Sequence, residues 1–410
     1  MALLTPLLFS SLAVAVAGAD IDITATLTAH DSSPPKRILS PGRLFGSFFE
    51  DFLHAGDGGV YAEKLSNRQL ALPLANESSF RCTGATGTGE CTWYAEAGSV
   101  TRDASAPLNT AVTNTMWLRP GAVASNAGFP GGIAVRAGES LVLSLFVRAQ
   151  AGPASIEARL VDGMGATGTT LGSVAVQAQA TSAHWVQVNT TLHVTESSGR
   201  DGCRFQLANK HGSTVGVTVV SLLPGQTWMG RANGLRMDVA SWLNETQPAF
   251  LRTPGGCYVE GHDLAASGWA WKKTLGPIEQ RPGHMNDVWG YWTDDGLGMF
   301  ELLQMADDVG ARPLVVINAG CSTDAGSCVQ GDALQPYIQA ALDAVEYVTG
   351  ASTTPWGSQR AAAGRSAPYE LQVRVQLIGH LQPCMTEIYL HIVARMADYI
   401  VCWSTETGAG

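Results

Sequence analysis

The chain contains 410 residues, with 25 lysines and arginines against 35 aspartates and glutamates, and its formal net charge is −10. This length suggests two or three domains at roughly 100–200 residues per domain. A hydrophobic content of 45% excludes a disordered chain. No cluster of basic residues offsets the acidic balance, so the sequence argues against a nucleic-acid partner.

The first predicted element is an apolar run over residues 1–19. It ends in Ala17-Gly18-Ala19, a small-x-small pattern typical of signal-peptide cleavage sites. The run is shorter than the ~20 apolar residues that a membrane-spanning helix requires. We therefore predict a secretory signal peptide over residues 1–19 and a secreted mature protein without a membrane segment. The alternative is an apolar N-terminal strand or arm.

The glycosylation sequons and the cysteine pairs of the sequence are features expected of a secreted protein. Three N-x-S/T sequons mark candidate glycosylation sites at Asn76, Asn189 and Asn244. Two cysteine pairs are close enough in sequence to form disulfides, namely Cys82 with Cys91 and Cys321 with Cys328. No CxxC…CxxC or HExxH spacing occurs, so we predict no metal site, and nothing in the sequence calls for a cofactor.

The next segments are rich in predicted strands. Period-2 alternation over residues 21–27 predicts a half-buried strand, and a short apolar strand over residues 44–51 ends in two carboxylates. Between residues 66 and 226 charge is sparse, and strand-like runs separated by turn residues recur at 141–147, 155–161, 173–178, 185–194 and 215–223. Short strands with regular turn signals predict an antiparallel β-sandwich over residues 66–226.

From residue 227 onward, helical patterns alternate with buried strands. Helices are predicted over residues 235–243, 296–309 and 334–348, and strands over residues 249–252, 313–318 and 369–378. This rhythm indicates parallel βα units. Each strand ends in polar or glycine residues, where a (β/α)₈ barrel places its active site. The pattern alone therefore favours a secreted α/β fold suited to hydrolysis of a sugar.

Four motif blocks follow one another along the chain: LFGSFFED with SNR, NGLRMDV, LRTPGGCYVEG, and WKKT with RPGH and YWTDDGLG. In this order they resemble family 51 of the glycoside hydrolases, the α-L-arabinofuranosidases, in its plant-type branch. The resemblance implies a (β/α)₈ barrel with a carbohydrate-binding-like β-sandwich inserted after the first barrel strand. We therefore expect a mixed α/β and all-β fold, with a signal peptide (1–19), a first barrel strand region (20–65), the sandwich (66–226) and an incomplete barrel (227–410).

The resemblance also implies a chemistry. Family 51 enzymes are retaining glycosidases, which need two carboxyl groups about 5 Å apart, and they release arabinofuranosyl groups from cell-wall polysaccharides. The family's acid/base lies in a Gly-Asn-Glu motif after the fourth barrel strand, but here Gly379 precedes His380 and Leu381. The chain then stops at Gly410. By this resemblance we expect a secreted α-L-arabinofuranosidase, inactive as the chain stands if both catalytic glutamates are absent. The alternatives are a non-catalytic polysaccharide-binding protein and a truncated gene product.

By the same resemblance, the motif positions nominate five substrate-binding residues: Glu50, Arg252, Gly256, Cys257 and Trp271. A sixth candidate, Asn318, is nominated by its place at the end of the predicted strand over residues 313–318. Glu50 would bind arabinofuranose hydroxyls, or else pair as an ordinary acid with Arg43 or Arg68. Arg252 would orient carboxylates such as Glu50, or form a structural ion pair. Gly256 belongs to a turn whose glycines allow close backbone approach.

The remaining nominated residues each have a second interpretation. Cys257 would line the pocket or be a buried thiol, Trp271 would stack on a sugar or belong to the core, and Asn318 would bind hydroxyls or cap a loop. We expect Asp294 and Asp295 to be the N-cap and first-turn residues of the following helix. Histidines are expected to be structural or at the rim of the site rather than bases: His54, His262 and His284.

Overall fold

The computed structural model describes residues 45–75, 92–163, 168–179, 183–210, 212–264, 268–323, 328–369, 376–378 and 402–404, all within one compact unit, Gly42–Gly410. Several sequence predictions lie outside these residues: the signal peptide, the strand over 21–27, the sequon at Asn76, the pair Cys82 and Cys91, and the motif at His380 and Leu381.

Two five-stranded antiparallel sheets lie between residues 93 and 224. Their strands are β2 (Trp93–Ala97), β3 (Val100–Asp103), β4 (Thr115–Leu118), β5 (Ala122–Asn126), β6 (Ser140–Ala149), β7 (Ala154–Asp162), β8 (Thr170–Ala178), β9 (Val186–His193), β10 (Cys203–Asn209) and β11 (Val215–Pro224). One sheet has the order β2-β5-β10-β7-β8 and the other β3-β4-β11-β6-β9. Alternate residues of β6, such as Leu141, Leu143 and Leu145, are fully buried in the core of this sandwich. The predicted antiparallel sheets are confirmed.

A second layer contains a parallel sheet. Its strands, in their spatial order, are β1 (Ser47–Phe48), β12 (Phe250–Thr253), β15 (Arg312–Asn318), β16 (Gln376–Ile378) and β17 (Cys402–Ser404). The predicted parallel pairing is confirmed by the register, in which Phe48 lies opposite Arg252 and Thr253 opposite Val315. Within the described residues no pairing joins β1 to β17, so this sheet is open and the barrel stays a prediction.

Helices alternate with these strands: α1 (Met237–Glu245), α2 (Cys257–Glu260), α3 (Met299–Asp308), α4 (Gln335–Thr349) and α5 (Pro355–Ala362). A two-stranded antiparallel ribbon of β13 (His284–Asn286) and β14 (Tyr291–Thr293) precedes α3. Helix α3 buries Leu302, Leu303 and Ala306, whose i, i+1 and i+4 spacing places them on one face. No helix in the described part of the chain is long and apolar enough to cross a membrane.

The prediction that Asp294 and Asp295 cap α3 is wrong. The N-cap of α3 is Gly298, whose N–H donates to the Glu301 carboxylate at 3.1 Å. Because Glu301 already accepts from the N-cap backbone in the manner of a capping box, the helix start needs no further acid. Both aspartates are instead buried, with 4% and 3% of their surface exposed.

The sandwich begins and ends at one place on the second layer. Tyr61 forms an antiparallel bridge with Leu235, and the Ala62 N–H donates to the Gly234 carbonyl at 3.1 Å. Close by, the Lys64 N–H donates to the Leu222 carbonyl at 3.0 Å. The chain therefore leaves and rejoins the parallel layer through two adjacent backbone segments.

Candidate functional site

Three strand ends meet at one edge of the parallel sheet. Because β1, β12 and β15 are adjacent and parallel, their carboxyl ends lie together. Glu50 follows β1, the turn over residues 254–256 follows β12, and Asn318 is the last residue of β15. The fold thus brings nominated residues of two motif blocks, and Asn318 from a third strand, to the same edge.

Glu50 is held by the backbone at the start of α2. Its Oε1 accepts hydrogen bonds from the N–H groups of Gly256 and Tyr258, each at 3.0 Å. The orientation is favourable because the first N–H groups of a helix have no partner within it. A Cβ on Gly255 would lie 2.7 Å from Glu50 Cγ, so this close approach needs a glycine.

The residues nominated beside Glu50, and its alternative partner Arg68, make the following contacts. The guanidinium of Arg252 lies 4.1 Å from the ring centroid of Phe48, a cation–π contact that braces it at the strand edge. Cys257 is half-buried at the first position of α2, beside Gly256. The side chain of Arg68, one of the alternative partners suggested for Glu50, contacts Tyr61, the Asp294 backbone and Glu63.

Asn318 is 8% exposed and works as a loop clamp. Its Oδ1 accepts from the N–H groups of Gly320 and Cys321 at 2.7 and 3.1 Å, and its Nδ2 donates to the Val259 carbonyl at 3.0 Å. A disulfide between Cys321 and Cys328 closes the same loop. The carboxamide therefore ties the end of β15 to α2 and to the loop that follows.

Trp271 is a largely buried residue, with 2% of its surface exposed. Its Nε1–H donates to the Ala340 carbonyl at 3.2 Å, and its ring packs against Tyr347 and Trp356 at centroid distances of 5.7 and 5.0 Å. These contacts favour the core interpretation over free stacking on a sugar, although one edge of the residue still reaches a cavity.

That cavity has a volume of about 500 Å³. Its lining includes Trp269, Trp271, His284, Asp295 and Asn318. Aromatic walls with a few fixed polar groups are typical of sites that bind small molecules. Glu50, Arg252, Gly256 and Cys257 are not in the lining, so the structure divides the six nominated residues between this cavity and the turn beside it.

Next to Glu50 in the sequence, Asp51 belongs to a cluster of buried carboxyl groups that also contains Asp57 and Asp294. Asp51 Oδ1 accepts from the Gly56 N–H at 2.8 Å and from the Tyr291 hydroxyl at 2.9 Å. Burial, reinforced by the neighbouring Asp57, raises the pKa of Asp51 to about 7. Burial likewise raises the pKa of Asp294 to about 7, although Arg68 opposes the shift. These carboxyl groups therefore titrate near neutrality rather than near pH 4.

Two of the three histidines considered above, His54 and His284, lie next to this cluster. His284 Nδ1 lies 3.0 Å from Asp295 Oδ1; burial alone would lower its pKa, but Asp295 raises it above the ordinary value. His54 stacks on Tyr291 at a centroid distance of 3.9 Å, and burial lowers its pKa to about 4. His262 lies near the surface, with its Nδ1 2.8 Å from the Thr323 hydroxyl. Only His284 lines the cavity.

Replacing Asp51 with asparagine is expected to flatten the dependence of stability on pH. The native state binds the Asp51 proton more tightly than the unfolded state does, so this stabilisation is present below pH 3.8 and is lost as pH rises through about 7. The asparagine side chain would keep an Oδ1 acceptor for Gly56 and Tyr291. We expect the loss in unfolding free energy between pH 5 and pH 8 to shrink by about 1–3 kcal/mol.

Urea denaturation at both pH values measures this change. Asp238→Asn is the matched control, because Asp238 is exposed and Arg236 lowers its pKa. That control should leave the fall in stability between pH 5 and pH 8 in place. An Asp51 variant with the same pH slope as the parent protein would contradict the shifted pKa.

The sequence-based list of site residues missed this buried cluster. The motif blocks contain all of its main members: Asp51, Arg68, Asp294 and His284. Their place in the motifs is the sequence feature that could have identified them. Their contacts join residues more than 200 positions apart, as in the hydrogen bond from the Arg68 N–H to Asp294 Oδ2 at 2.9 Å. The described residues contain no group of three histidine, cysteine or acidic side chains placed to hold a metal ion.

Comparison with known protein families gives one match. Residues 242–383 match the family model described as the alpha-L-arabinofuranosidase 1 domain. This range contains α2, the cavity and the end of β15, but not β1 or the sandwich.

Curated proteins match a larger part of the chain. Alpha-L-arabinofuranosidase 1 of Arabidopsis thaliana is 34% identical over 377 residues, which cover 89% of this chain and 53% of that protein. An extracellular exo-alpha-L-arabinofuranosidase of Streptomyces chartreusis is 34% identical over 372 residues, covering 85% of this chain and 42% of that protein. The chain thus spans about half the length of the curated relatives that it matches.

A solved structure of an arabinose-bound GH51 α-L-arabinofuranosidase superposes with a TM-score of 0.75 at 29% sequence identity. The match covers 90% of this chain and 59% of that one. The likeness therefore extends across both the sandwich and the parallel layer.

Proposed function

Because this chain is a relative of the glycoside hydrolase family 51 α-L-arabinofuranosidases, we propose that the protein is a secreted α-L-arabinofuranosidase acting on arabinofuranose-containing cell-wall polysaccharides. The observation that carries the proposal is the shared edge of β1, β12 and β15. There a fixed carboxylate, a glycine turn and a 500 Å³ cavity lie side by side.

The proposed task of these residues is to bind one terminal arabinofuranosyl unit. A furanoside offers hydroxyl groups, and a carboxylate is a strong acceptor for them. Glu50 suits this role because two backbone N–H groups fix Oε1 and thereby fix the direction of the whole carboxylate. The superposed relative supports the same substrate, since it holds arabinose.

Hydrolysis with retention needs a nucleophile and an acid/base, two carboxyl groups about 5 Å apart. We do not assign either role to Glu50 or to the buried aspartates. In the proposal, the residues at the strand ends supply recognition. The family places its acid/base after the fourth barrel strand, where this sequence has His380 and Leu381 in place of Asn-Glu, so turnover is the part of the proposal that the assay below must establish. The partial (β/α)₈ barrel with its inserted sandwich is part of the same proposal.

Secretion is supported by sequence features and by one relative. The Ala17-Gly18-Ala19 pattern favours a cleaved signal peptide, and the Streptomyces chartreusis protein is named as extracellular. Asn189 is exposed on β9 and open to a glycan, whereas Asn244 is half-buried on α1. We therefore propose Asn189 as the more accessible of the two described sequons.

A second candidate function is polysaccharide binding without cleavage. It is favoured by the sequence at Gly379-His380-Leu381, where the family has Gly-Asn-Glu. A protein of this kind would keep the recognition residues and lack the proton donor for the leaving group.

Turnover and binding, measured separately on the purified chain, distinguish these candidates. Hydrolysis of 4-nitrophenyl α-L-arabinofuranoside would support the enzyme. Saturable binding of methyl α-L-arabinofuranoside in calorimetry, without turnover, would favour the binding protein. Absence of both would contradict the proposed substrate.

Replacing Glu50 with glutamine tests the recognition role. The amide Oε1 can still accept from Gly256 and Tyr258, so the fold should be kept, but a carboxylate acceptor for sugar hydroxyls is lost. We expect affinity for methyl α-L-arabinofuranoside to fall about tenfold, as for loss of a charge-assisted hydrogen bond. Glu245→Gln, at an exposed position of α1, should bind like the parent protein. Equal affinity in all three would remove Glu50 from the site.

A further inference from the structure

Three polar atoms in the cavity lining are buried and lack a hydrogen-bond partner among the described residues. One of them, Asp295 Oδ1, has an ionic neighbour in His284 Nδ1 at 3.0 Å, whereas the other two have no such neighbour among these residues. These two are the indole Nε1 of Trp269 and the imidazole Nε2 of His284. Trp269 is 4% exposed, and the side chain of His284 is 13% exposed. Buried polar groups in native proteins are almost always paired, so two such atoms in one cavity indicate a polar ligand.

His284 is already oriented by its surroundings. Its backbone belongs to β13, where it lies opposite Thr293 of β14, and its Nδ1 lies 3.0 Å from Asp295 Oδ1. The Tyr258 ring stands 5.6 Å away, centroid to centroid. Because Nδ1 is committed to Asp295, Nε2 is the nitrogen that His284 can offer to a molecule in the cavity.

Trp269 is fixed in a comparable way by the backbone. Its N–H donates to the Val259 carbonyl at 3.2 Å, and this links it to α2. The neighbouring Trp271, by contrast, uses its Nε1–H to donate to the Ala340 carbonyl. Of these two tryptophans, Trp269 is therefore the one whose indole N–H can donate to a molecule in the cavity.

We propose that the cavity is a furanoside subsite in which the Trp269 Nε1–H donates to one sugar hydroxyl and His284 Nε2 bonds to a sugar hydroxyl. This inference rests on the proposed function and specifies which side chains form hydrogen bonds with the sugar. A hydroxyl is both donor and acceptor, so it matches the indole, which only donates, and the imidazole nitrogen in either protonation state. The aromatic walls bury the carbon faces of the same ring.

Calorimetric titration of the full chain with methyl α-L-arabinofuranoside tests the assignment. His284→Asn retains an amide near the Nδ1 position for Asp295 but lacks Nε2, whereas His284→Gln places an amide near Nε2. We expect His284→Asn and Trp269→Phe each to weaken binding about tenfold, and His284→Gln to recover most of the affinity. Trp242→Phe is the matched control, because Trp242 is 67% exposed on α1.

Deoxy derivatives of the same glycoside separate contact from a general effect on folding. The weakening caused by His284→Asn should vanish for the derivative that lacks the contacted hydroxyl and persist for the others. Uniform weakening across all derivatives, or parent-like affinity in both variants, would overturn the subsite while leaving the proposed function in place. A parent chain that binds none of these glycosides would overturn the proposed function, and the subsite with it.

Discussion

Replacing Arg68 with methionine is expected to lower the unfolding free energy by about 3–5 kcal/mol, the range measured when one partner of a buried ion pair is removed. Arg68 is 1% exposed, and its Nη1 donates to the Tyr61 hydroxyl at 2.9 Å while Nη2 donates to the Asp294 carbonyl at 3.1 Å. Glu63 Oε2 lies 3.8 Å from Nη1.

The large effect comes from what the substitution leaves behind. Asp57, Glu63 and Asp294 are each about 4% exposed, and the guanidinium is the cation among them. Methionine keeps much of the volume but none of the charge, so the neighbouring carboxylates would lose their compensation. Uncompensated carboxylates would take up protons, and the variant should therefore be least stable at high pH.

Urea denaturation at pH 8 and at pH 5 measures both effects. Arg236→Met is the matched control, because Arg236 is 42% exposed and pairs with the 54% exposed Asp238. Surface pairs contribute about 0–1 kcal/mol, so that variant should stay close to the parent protein. Similar losses in the two variants would show that Arg68 does not organise the buried cluster.

Replacing Arg360 with methionine is expected to cost about 3 kcal/mol or more. Arg360 has no exposed surface, and its guanidinium donates to the carbonyls of Tyr347 at 2.6 Å, Gly350 at 2.7 Å and Ser366 at 3.1 Å. The first two carbonyls lie at the C-terminal end of α4, where a cation also complements the helix dipole.

The loss should be cooperative, because Arg360 joins the end of α4, the interior of α5 and the loop after it. Without it, several buried carbonyls lose their donor at once. Differential scanning calorimetry should show a lower Tm, and hydrogen exchange should accelerate in α5 first. Arg119→Met, at an exposed sandwich position, is the control and should shift Tm little. Unchanged exchange in α5 would contradict the clamp.

Long strands with an alternating or a largely apolar pattern were predictable from the sequence, and short strands or strands with buried polar residues were not. The predicted runs around β6 and β7 agree with the observed strands because their burial alternates, which gives a period of two. Strand β11 is buried on both faces and was predictable from its nearly continuous apolar run instead. Strand β10 was missed. Its residues Arg204 and Gln206 suggest a solvent face, but both are 1% exposed.

The reason is a contact that no local pattern encodes. Arg204 donates to both Glu96 oxygens, at 3.1 and 3.0 Å, across 108 positions of sequence, and Gln206 donates to the same carboxylate at 2.5 Å. Polar residues that satisfy one another in this way can be buried without the usual penalty. Periodicity rules read them as exposed because they judge each residue alone.

In the candidate site, too, the positions of residues were predictable from the sequence, whereas their side-chain contacts were not. The motif placed Glu50, and the strand pattern placed Asn318, at strand ends, but neither pattern indicates the backbone groups that hold their side chains. Glu50 is held by the start of α2 and Asn318 by the loop that follows β15. The wrong assignment of Asp294 and Asp295 has a similar cause. Their position before α3 suggested capping. In the structure, Asp294 instead accepts a hydrogen bond from the distant Arg68 N–H, and Asp295 pairs with the nearby His284.

The adjacent backbone segments at Tyr61 and Leu235 bear on the order in which the molecule folds. Strands β1 and β12 are neighbours in space but are separated in sequence by the whole sandwich, so direct pairing would close a very long loop. The entropy cost of closing a flexible loop grows with its length, and long-range parallel pairing is correspondingly slow. Once the sandwich has formed, the contacts from Lys64 to Leu222 hold its two ends together, and the loop left to close is short. We therefore expect the sandwich to form before the parallel layer and to bring its first two strands together, whatever the sandwich binds in the finished protein.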